Sequence, residues 1–521
     1  MFIENKKLFL RSQSPFWAKK FDCCGVEART IAQLQKSLEN ACNQQANVVE
    51  VFLQNMDFNI LDSTLSSLDE DYSRSLSQRY PFAEQWLTNH KVGVVLLAAG
   101  QSTRLGLMGP KGLFPASSVR GCSLFDLFCA KHAFLEKAFS VNIPLAVLCQ
   151  DPCAIQSYFD ENDYFGLDAK NVDFFSQSEL PLLGEDVDGY KAILKRDKDS
   201  VRCLKGPDGN GAVFAGLLRS GIWDKWLEMG IEVVASSLID NPLMAPFSLP
   251  ALNCFTESWA PFDLPNDQRV PCSAMICALP CTDPDEKVGL LGRDRVSGEL
   301  SVIEYGQHHQ DGNMESCLAN SGAILWSARA LNALFNDLSC GKEPGCTQRE
   351  AALSSHLPWH FAKRRYRVEI FKERFNEGSQ KSVQEEMDLF KAETFIFDWL
   401  PLLQQASKKQ KVSAIVLDKK RTFYPLKNKE GAYSPKTFAA HLCQLNRLRL
   451  HDLGVERING TLLSQLNIEL APQFDFLSND ELKSWFQAQR CEPIEFTADL
   501  CLETDMLARF GIHIAPSNKS M

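Results

Sequence analysis

The stretch that decides the fold is Val92–Gly112, which reads VGVVLLAAGQSTRLGLMGPKG. It begins as an unbroken apolar run of strand length and then becomes glycine-rich, with Arg104 and Lys111 as its cations. Apolar runs without alternation are typical of strands that are buried on both faces of a parallel sheet. Ligands of such sheets bind beyond the carboxyl ends of the strands. We therefore predict that an anionic ligand binds in the loop after this strand.

The composition of that loop favours phosphate groups. Glycine lets a backbone turn sharply and approach a ligand closely, and successive N–H groups can form a concave anion site. Arg104 and Lys111 would add two positive charges. The loop matches neither G-x-G-x-x-G nor the Walker A spacing, which argues against a dinucleotide-dependent dehydrogenase. Its glycines stand at positions 100, 106, 109 and 112.

Strand-length apolar runs recur after residue 92, and helical segments separate them. This alternation predicts an α/β fold with a mostly parallel sheet that is covered on both faces. We expect three domains: a mainly helical region over 1–88, a central domain over 89–399 and an α+β domain over 400–521. The expected elements are helices at 28–46 and 58–86, strands at 92–98, 144–149, 172–175, 232–238, 273–279, 324–326 and 412–417, a helix at 436–449 and short strands at 457–470.

Composition argues against several classes of protein. The chain has 521 residues and a formal net charge of −10, which disfavours a nucleic-acid partner. No run approaches the roughly 20 apolar residues of a membrane span, and the N-terminus lacks the pattern of a signal peptide. The 18 cysteines are scattered without C-x-x-C pairs or zinc spacing, as expected for free thiols in a reducing compartment. We therefore expect a cytoplasmic protein without a nucleic-acid or membrane partner.

The string Leu97–Gly112 resembles L-x-x-G-x-G-T-R-L-G-x-x-x-P-K-G, the signature of nucleotidyltransferases that make UDP-sugars. It is most similar to the eukaryotic-type UDP-N-acetylglucosamine pyrophosphorylases and their UDP-sugar pyrophosphorylase relatives. Ser102 stands where the family usually has glycine. Further motifs follow in the family's order: FFSQ at 174–177, PDGNG at 207–211, IDNPL at 239–243, VIEY at 302–305, NSG at 320–322, ETFIFD at 393–398 and YPLKN at 424–428.

The resemblance covers about residues 60–430. It implies a Rossmann-like, GT-A-like nucleotidyltransferase domain in the centre of the chain, with smaller N- and C-terminal domains. The implied reaction joins UTP and a sugar 1-phosphate into a UDP-sugar and pyrophosphate, with N-acetylglucosamine 1-phosphate as the favoured sugar substrate. The implied cofactor is Mg²⁺ or Mn²⁺, and we expect a monomer or a weak homo-oligomer.

The resemblance also assigns roles residue by residue. The catalytic cations would be Arg104, Lys111 and Lys427, and Asp240 would bind the metal as well as the nucleotide. The other nucleotide-binding residues would be Leu97, Ala98, Ala99, Gly100, Gln177 and Gly209. The sugar-binding residues would be Asn210, Gly289, Glu304, Asn320, Phe395 and Phe397.

Several of these residues have plain structural explanations that the sequence leaves open. Asp240 follows a strand and could hold Mg²⁺ or form an Asx turn before Pro242. Glu304 could accept hydrogen bonds from sugar hydroxyls or be an exposed strand carboxylate, and Lys427 could simply face solvent. Asn210 could contact a ligand or only form the turn before the next helix.

Three hypotheses about function therefore remain. The first is a UDP-N-acetylglucosamine pyrophosphorylase, and the second keeps the chemistry but takes glucose 1-phosphate or several sugar 1-phosphates. The third is a non-catalytic protein that binds nucleotide sugars, and the presence of Arg104, Lys111, Asp240 and Lys427 argues against it. The reaction needs no general base, because a sugar phosphate with a second pKa of about 6 is largely dianionic near neutral pH. It does need positive charge and alignment.

Overall fold

The computed structural model describes residues 32–39, 73–100, 105–106, 109–186, 189–196, 201–259, 272–281, 286, 288–293, 299–303, 317–339, 353, 356–373, 380–406, 411–488 and 496–516. Three residues singled out above, Ser102, Arg104 and Glu304, lie outside these ranges. Most of the helical regions expected at 28–46 and 58–86 also lies outside these ranges. The exceptions are a helix at 32–39 and the residues after 72.

The chain groups into two compact units, each assembled from separated segments. We call the first the hairpin unit; it comprises residues 1–51, 177–219 and 341–399. We call the second the sheet unit; it comprises residues 52–176, 220–340 and 400–521. The predicted division into three consecutive domains, at residues 88 and 399, stays a prediction.

The described residues of the sheet unit form a nine-stranded sheet, whose strands are β1 Val92–Leu97, β2 Leu145–Cys149, β3 Val172–Ser176, β4 Val233–Leu238, β5 Cys272–Cys281, β6 Leu290–Arg293, β7 Leu300–Ile303, β8 Cys317–Ser327 and β9 Lys411–Val416. Their order is β7-β6-β8-β4-β1-β2-β3, with β5 pairing to β8 and β9 pairing to β5. Strand β1 lies parallel to β2 and β4, and Leu97 stands opposite both Leu148 and Leu238. The carboxyl ends of these three strands therefore meet at one edge.

Strand β1 is buried along its whole length, as its unbroken apolar run predicts. Gly93 lets the indole of Trp226 pack closely on this strand, because a Cβ atom at this position would lie 3.1 Å from that ring, tighter than an ordinary contact. The helix Leu124–Phe139 begins with a capping box between Ser123 and Asp126 and buries a row of apolar side chains, as a helix does when it covers a sheet. The α/β class is confirmed.

The remaining elements of the sheet unit are helices, 3₁₀ turns and short strands. The helices and 3₁₀ turns are Leu76–Arg79, Pro81–Thr88, Lys111–Leu113, Leu124–Phe139, Pro152–Glu161, Asp163–Gly166, Ala169–Asn171, Ile222–Glu228, Pro242–Met244, Leu249–Glu257, Ala328–Leu338, Lys419–Thr422, Pro435–Asp452, Leu463–Gln465, Gln473–Phe476, Asn479–Ala488 and Thr504–Arg509. The strands are Arg457–Ile458, Thr461–Leu462, Leu466–Leu470, Asp499–Leu500 and Ile512–Pro516.

The hairpin unit is built around a four-stranded antiparallel sheet. Its centre is a long hairpin whose two strands pair from His360–Glu393 to Glu373–Gln380. The helix Trp399–Ala406 begins at the last residue of this unit. The two strands of the hairpin are His360–Glu373 and Gln380–Glu393. The other elements are the strands Glu179–Pro181, Leu183–Asp186, Gly189–Ala192, Leu194–Arg196, Val201–Cys203 and Lys205–Pro207, the helix Val213–Arg219 and the 3₁₀ turns Asn210–Ala212 and Ile396–Asp398.

Most predicted strands are present within a few residues of their expected bounds, and the described part of the region expected to be helical over 58–86 is mainly helical. The chain forms two helices there, Leu76–Arg79 and Pro81–Thr88, with a break at Tyr80. Proline lacks a backbone N–H and favours the first turn of a helix, so Pro81 starts a new helix. No described helix is both long enough and apolar enough to cross a membrane.

Candidate active site

The carboxyl end of β1 offers backbone to an open space. Leu97 and Ala98 are buried, Ala99 is half-buried and Gly100 is exposed. Strand β1 is tied to its neighbours up to this point, since Ala98 N–H donates to Leu148 O at 2.9 Å. A Cβ atom on Gly100 would meet nothing within 4 Å. Of the predicted nucleotide-binding residues 97–100, Gly100 thus lies where a ligand would have room.

The loop after β1 closes on itself, because Lys111 N–H donates to Gly100 O at 3.2 Å. Gly106 and Gly109 have φ angles of +74° and +117°, a region that side chains strongly disfavour. Gly112 has a different role from the one we expected. A Cβ atom there would lie 2.2 Å from the ring of Phe125, so this glycine serves helix packing and not the approach of a ligand.

Lys111 and Asp240 form an ion pair at this edge. Lys111 Nζ lies 3.1 Å from Asp240 Oδ2, and the two side chains are 14% and 18% exposed. Asp240 Oδ1 is buried and has no hydrogen-bond partner among the described residues. A buried carboxylate oxygen without a partner is unfavourable, and a bound cation would satisfy it.

The donor set at Asp240 fits Mg²⁺ and not a self-contained protein metal site. Within the described ranges, no group of three or more His, Cys, Asp or Glu side chains could hold an ion. Mg²⁺ commonly takes one or two carboxylates and fills its remaining positions with phosphate oxygens and water. The backbone turn at this point is made by Asn241, whose Oδ1 accepts Tyr424 N–H at 3.1 Å and whose Nδ2 donates to Thr422 O at 2.9 Å.

The segment that carries Lys427 is attached directly to Asp240. Leu426 N–H donates to Asp240 O at 2.8 Å. Lys427 is half-buried, and its Nζ lies 5.7 Å from the centre of the Phe423 ring, a cation–π contact. We call Gly100, Lys111, Asp240 and Lys427 the strand-edge cluster.

Lys429 is a further cation that the motif comparison missed. Its Cδ lies 3.3 Å from the point that a Cβ atom of Gly106 would occupy. The Lys429 side chain is therefore packed on the loop after β1, although the residue is largely exposed to solvent. The signal in the sequence is the second lysine of Lys427-Asn-Lys429, which lies just beyond the family motif.

Two of the predicted sugar-binding residues are brought together in the sheet unit. Asn320 N–H donates to Gly289 O at 2.8 Å. The Asn320 amide oxygen accepts Gly322 N–H at 2.9 Å, which leaves its amide nitrogen as the end that can donate to a ligand. Gly322 has φ +86°, and a Cβ atom there would lie 2.2 Å from Leu238. The glycine of the NSG motif thus allows β8 to pack against β4.

In the hairpin unit, Gln177 is hydrogen-bonded to the PDGNG loop. Gln177 Nε2 donates to Gly209 O at 2.6 Å. Because a carbonyl oxygen can only accept, this contact fixes the amide orientation and leaves Oε1 as the free acceptor end. Gly209 has φ +89°, and a Cβ atom there would lie 2.1 Å from Thr394 O, so no other residue fits this position.

Asp208 is a buried carboxyl beside Gln177 that the sequence reasoning did not single out. Burial raises its pKa to about 7, although Arg219, Gln177 and Lys391 act in the opposite direction. Its Oδ1 has no hydrogen-bond partner among the described residues. The signal in the sequence is the acidic residue between Pro207 and Gly209 of the PDGNG motif. We call Gln177, Asp208 and Gly209 the Gln177 cluster.

The other predicted sugar-binding residues of the hairpin unit form a second group. Asn210 Oδ1 accepts Ile396 N–H at 2.9 Å, which joins the PDGNG loop to the ETFIFD segment. The rings of Phe395 and Phe397 stack with centres 5.1 Å apart. Phe397 is buried and Phe395 is half-buried, so Phe395 is the ring that a ligand reaches more easily. His360 Nε2 lies 3.1 Å from both carboxylate oxygens of the neighbouring Asp398.

The fold is of the α/β class, and the comparison with known families shows that the chain is of the nucleotidyltransferase class. A profile of the family described as UTP–glucose-1-phosphate uridylyltransferase matches residues 34–327, which is more than half of the chain. The chain therefore belongs to this family, and the resemblance seen in the motifs is confirmed.

Individual relatives agree with this assignment. A Schizosaccharomyces pombe protein named as a probable UDP-N-acetylglucosamine pyrophosphorylase is 27% identical over 352 residues, which cover 65% of this chain and 66% of that protein. The UDP-N-acetylglucosamine pyrophosphorylase of Saccharomyces cerevisiae is 26% identical over 389 residues, 72% of each chain. The matched stretch thus spans just under two thirds of the length of the first relative and somewhat more of the second.

A solved structure shows the same fold. The uridine diphosphate N-acetylglucosamine pyrophosphorylase of Trypanosoma brucei, crystallised with an inhibitor, has a TM-score of 0.62 to this chain at 20% identity. The superposition covers 91% of this chain and 89% of that one.

Proposed function

We propose that the protein transfers the uridylyl group of UTP to N-acetylglucosamine 1-phosphate, forming the UDP-sugar and pyrophosphate. The observation that carries this proposal is the Lys111–Asp240 pair at the carboxyl edge of β1 and β4, in which one buried carboxylate oxygen has no hydrogen-bond partner among the described residues. The pair offers both a cation for phosphate oxygens and an acceptor for a metal ion. A protein that only binds the product would not need both.

The chemistry is an in-line displacement. An oxygen of the sugar phosphate attacks the α-phosphorus of UTP, a new P–O bond forms, and the α–β anhydride bond breaks to release pyrophosphate. Lys111 would neutralise charge on the leaving pyrophosphate, and Lys427 would contact the α-phosphate or the sugar phosphate. Groups of this kind act mainly by holding reactants in line and by stabilising charge in the transition state.

Asp240 would hold Mg²⁺ or Mn²⁺ through Oδ1, which has no hydrogen-bond partner in the described part of the chain. A divalent cation bound there would offset the negative charge of the phosphate groups. Arg104 keeps the phosphate-binding role that the motif predicts.

Gln177 would select uracil. Its amide nitrogen is engaged by Gly209, so its free oxygen can accept the N3–H of uracil. Cytosine carries an acceptor at this position, and two acceptors would then face each other. Such a mismatch leaves a polar group unpaired, which costs about 1–3 kcal/mol.

The choice of sugar is supported by the names of the relatives, since both name N-acetylglucosamine. Gly289 and Asn320 lie together and offer an amide nitrogen that could bind the substituents of the sugar. The second candidate is glucose 1-phosphate, which the description of the family names.

The deciding experiment is a panel of sugar 1-phosphates with UTP and Mg²⁺, in which pyrophosphate release is followed. We expect kcat/KM for N-acetylglucosamine 1-phosphate to exceed that for glucose 1-phosphate by about tenfold or more, a usual effect of one substituent in a shaped pocket. A preference for glucose 1-phosphate would select the second candidate. Release of no pyrophosphate with any sugar, together with UDP-sugar binding, would select a non-catalytic protein.

The described cysteines are free thiols, which supports a reducing compartment such as the cytoplasm as the place of action. We keep the expectation of a monomer or a weak homo-oligomer, which sedimentation of the purified protein would test.

A further inference from the structure

Tyr433 connects the backbone of Lys427 to a buried carboxylate. Its carbonyl oxygen accepts the N–H groups of Lys427 and Asn428 at 2.9 and 3.1 Å. Its hydroxyl donates to Glu286 Oε1 at 2.5 Å. Tyr433 has φ +59°, a left-handed conformation that bulky residues adopt only where their surroundings impose it. The turn after Lys427 is therefore held in a strained shape by contacts at both ends of one residue.

Glu286 is satisfied at both carboxylate oxygens. Lys419 Nζ lies 2.5 Å from Oε2, and the Glu286 side chain is only 6% exposed. A buried carboxylate is stable only when donors of this kind surround it. Glu286 O also accepts Val288 N–H at 2.9 Å, immediately before Gly289.

The same tyrosine supports the aromatic surface under the Lys427 ammonium. The Phe423 ring centre lies 5.7 Å from Lys427 Nζ and 6.2 Å from the ring centre of Tyr433. The Tyr424 ring centre lies 5.2 Å from that of Tyr433. The direction of the Lys427 side chain thus depends on a ring that packs against Tyr433, while its backbone depends on the Tyr433 carbonyl.

We infer that Tyr433 and Glu286 are positioning residues that hold Lys427 in place for the transferred phosphate. Neither needs to touch a substrate, since both act through Lys427. This inference rests on the proposed function, because it takes Lys427 as a cation that contacts phosphate. It adds that a contact 147 residues away in the sequence, from Tyr433 to Glu286, joins Lys427 to the chain that leads into Gly289.

A double-mutant cycle tests this coupling. The variants are Tyr433→Phe, Lys427→Ala and the pair, and kcat and both KM values are measured with UTP, N-acetylglucosamine 1-phosphate and saturating Mg²⁺. Tyr433→Phe keeps the ring and removes only the hydroxyl. We expect kcat to fall about tenfold, a common coupling within one hydrogen-bond network, with KM for UTP changed by less than about twofold. In the Lys427→Ala background, Tyr433→Phe should have no further effect on kcat.

The outcomes separate the two proposals. If Tyr433→Phe lowers kcat by the same factor in both backgrounds, or leaves it unchanged, the positioning role is overturned while the uridylyl transfer stands. If Lys427→Ala has the turnover of the wild type, the role of Lys427 fails, and its positioning by Tyr433 fails with it. If the wild type releases no pyrophosphate, the proposed function itself is wrong.

Two further variants protect the test against a failure of folding. Tyr158→Phe is the matched control, because its hydroxyl also donates to one side chain, Ser123 Oγ, at 3.1 Å; it should leave kcat unchanged. Glu286→Gln keeps the shape and removes the charge, and it should reproduce the kcat loss of Tyr433→Phe. A loss of kcat in Tyr158→Phe equal to that in Tyr433→Phe would mean that any tyrosine hydroxyl matters to stability alone, and would overturn the inference.

Discussion

The strand-edge cluster and the Gln177 cluster each contain a carboxylate with one oxygen that has no hydrogen-bond partner among the described residues, but their surroundings differ. Asp240 follows the carboxyl end of β4 and has the Lys111 ammonium 3.1 Å away. Asp208 is buried, with its pKa raised to about 7 by that burial. Arg219 donates to Ser178 at 2.8 Å, and Lys391 lies 2.5 Å from Glu393. The carboxylate that is paired with an ammonium at the strand edge is suited to binding a metal cation. The carboxyl group whose pKa is raised by burial is suited to carrying a proton.

The largest effect should come from removing the cation of the strand-edge cluster. Lys111→Met keeps the length of the side chain and removes the charge that would meet the leaving pyrophosphate. We expect kcat to fall by about 10²–10³, as for other single transition-state donors, with a much smaller change in the dissociation constant for the UDP-sugar.

Lys131→Met is the matched control, because Lys131 Nζ also pairs with an aspartate at 2.9 Å and its side chain is 15% exposed. This control should keep nearly all of its turnover. A Lys111→Met variant with kcat within a factor of about 3 of the wild type, less than 1 kcal/mol of barrier, would show that the loop does not serve catalysis.

The next effect concerns the metal. Asp240→Asn removes the carboxylate charge at similar size, so the apparent affinity for Mg²⁺ should fall about 10- to 100-fold, the usual worth of one contact to a charged group. The measurement is pyrophosphate release as a function of Mg²⁺, supported by direct Mn²⁺ binding in the presence of UTP. Asp475→Asn, which breaks the ion pair with Lys131, is the control. An unchanged Mg²⁺ dependence would make Asp240 a turn residue.

The third effect sharpens the contrast by pH. The folded-state pKa of Asp208 is raised from 3.8 to about 7 by burial, against Arg219, Gln177 and Lys391. The stability that this protonated group contributes is complete below about pH 4 and is lost as pH rises through 7. The side chain of an Asp208→Asn variant cannot ionise. The free energy of unfolding of this variant, relative to that of the wild type, should therefore rise by about 1–3 kcal/mol between pH 4 and 8.

Thermal unfolding of the two proteins at several pH values measures this difference. A gap that stays constant with pH would mean that Asp208 is not the titrating group. The experiment leaves Asp240 intact, so it tests the Gln177 cluster alone.

The smallest effect concerns the base. Wild-type enzyme should prefer UTP over CTP, and Gln177→Ala should reduce the ratio of their kcat/KM values by about tenfold, since one unpaired polar group is worth about 1–3 kcal/mol. The ratio is measured at fixed Mg²⁺ and sugar 1-phosphate. Equal kcat/KM values for UTP and CTP in the wild type would contradict the uracil assignment.

Local patterns predicted much of the fold correctly. The apolar run of β1 and the alternation that follows it indicate an α/β sheet, because burial on both faces demands continuous apolar residues. Short strands were also predicted within 457–470, and Asn459 and Gly460, which both have positive φ angles, form the turn between the first two. The long hairpin was not predicted, because charged residues such as Lys363 and Arg365 interrupt its apolar pattern and pair instead with acids of the facing strand.

The sequence by itself determined the chemistry of the loop after β1 and the order of the motifs, since these depend on residues close together in the chain. Only the tertiary structure decided which of them meet. Lys111 and Asp240 are 129 positions apart and come together because β1 and β4 lie side by side and parallel. The tertiary structure also decided that Gly112 packs on Phe125 and that Asp208 is buried. Packing between distant segments sets such distances and burial, and no local pattern records them.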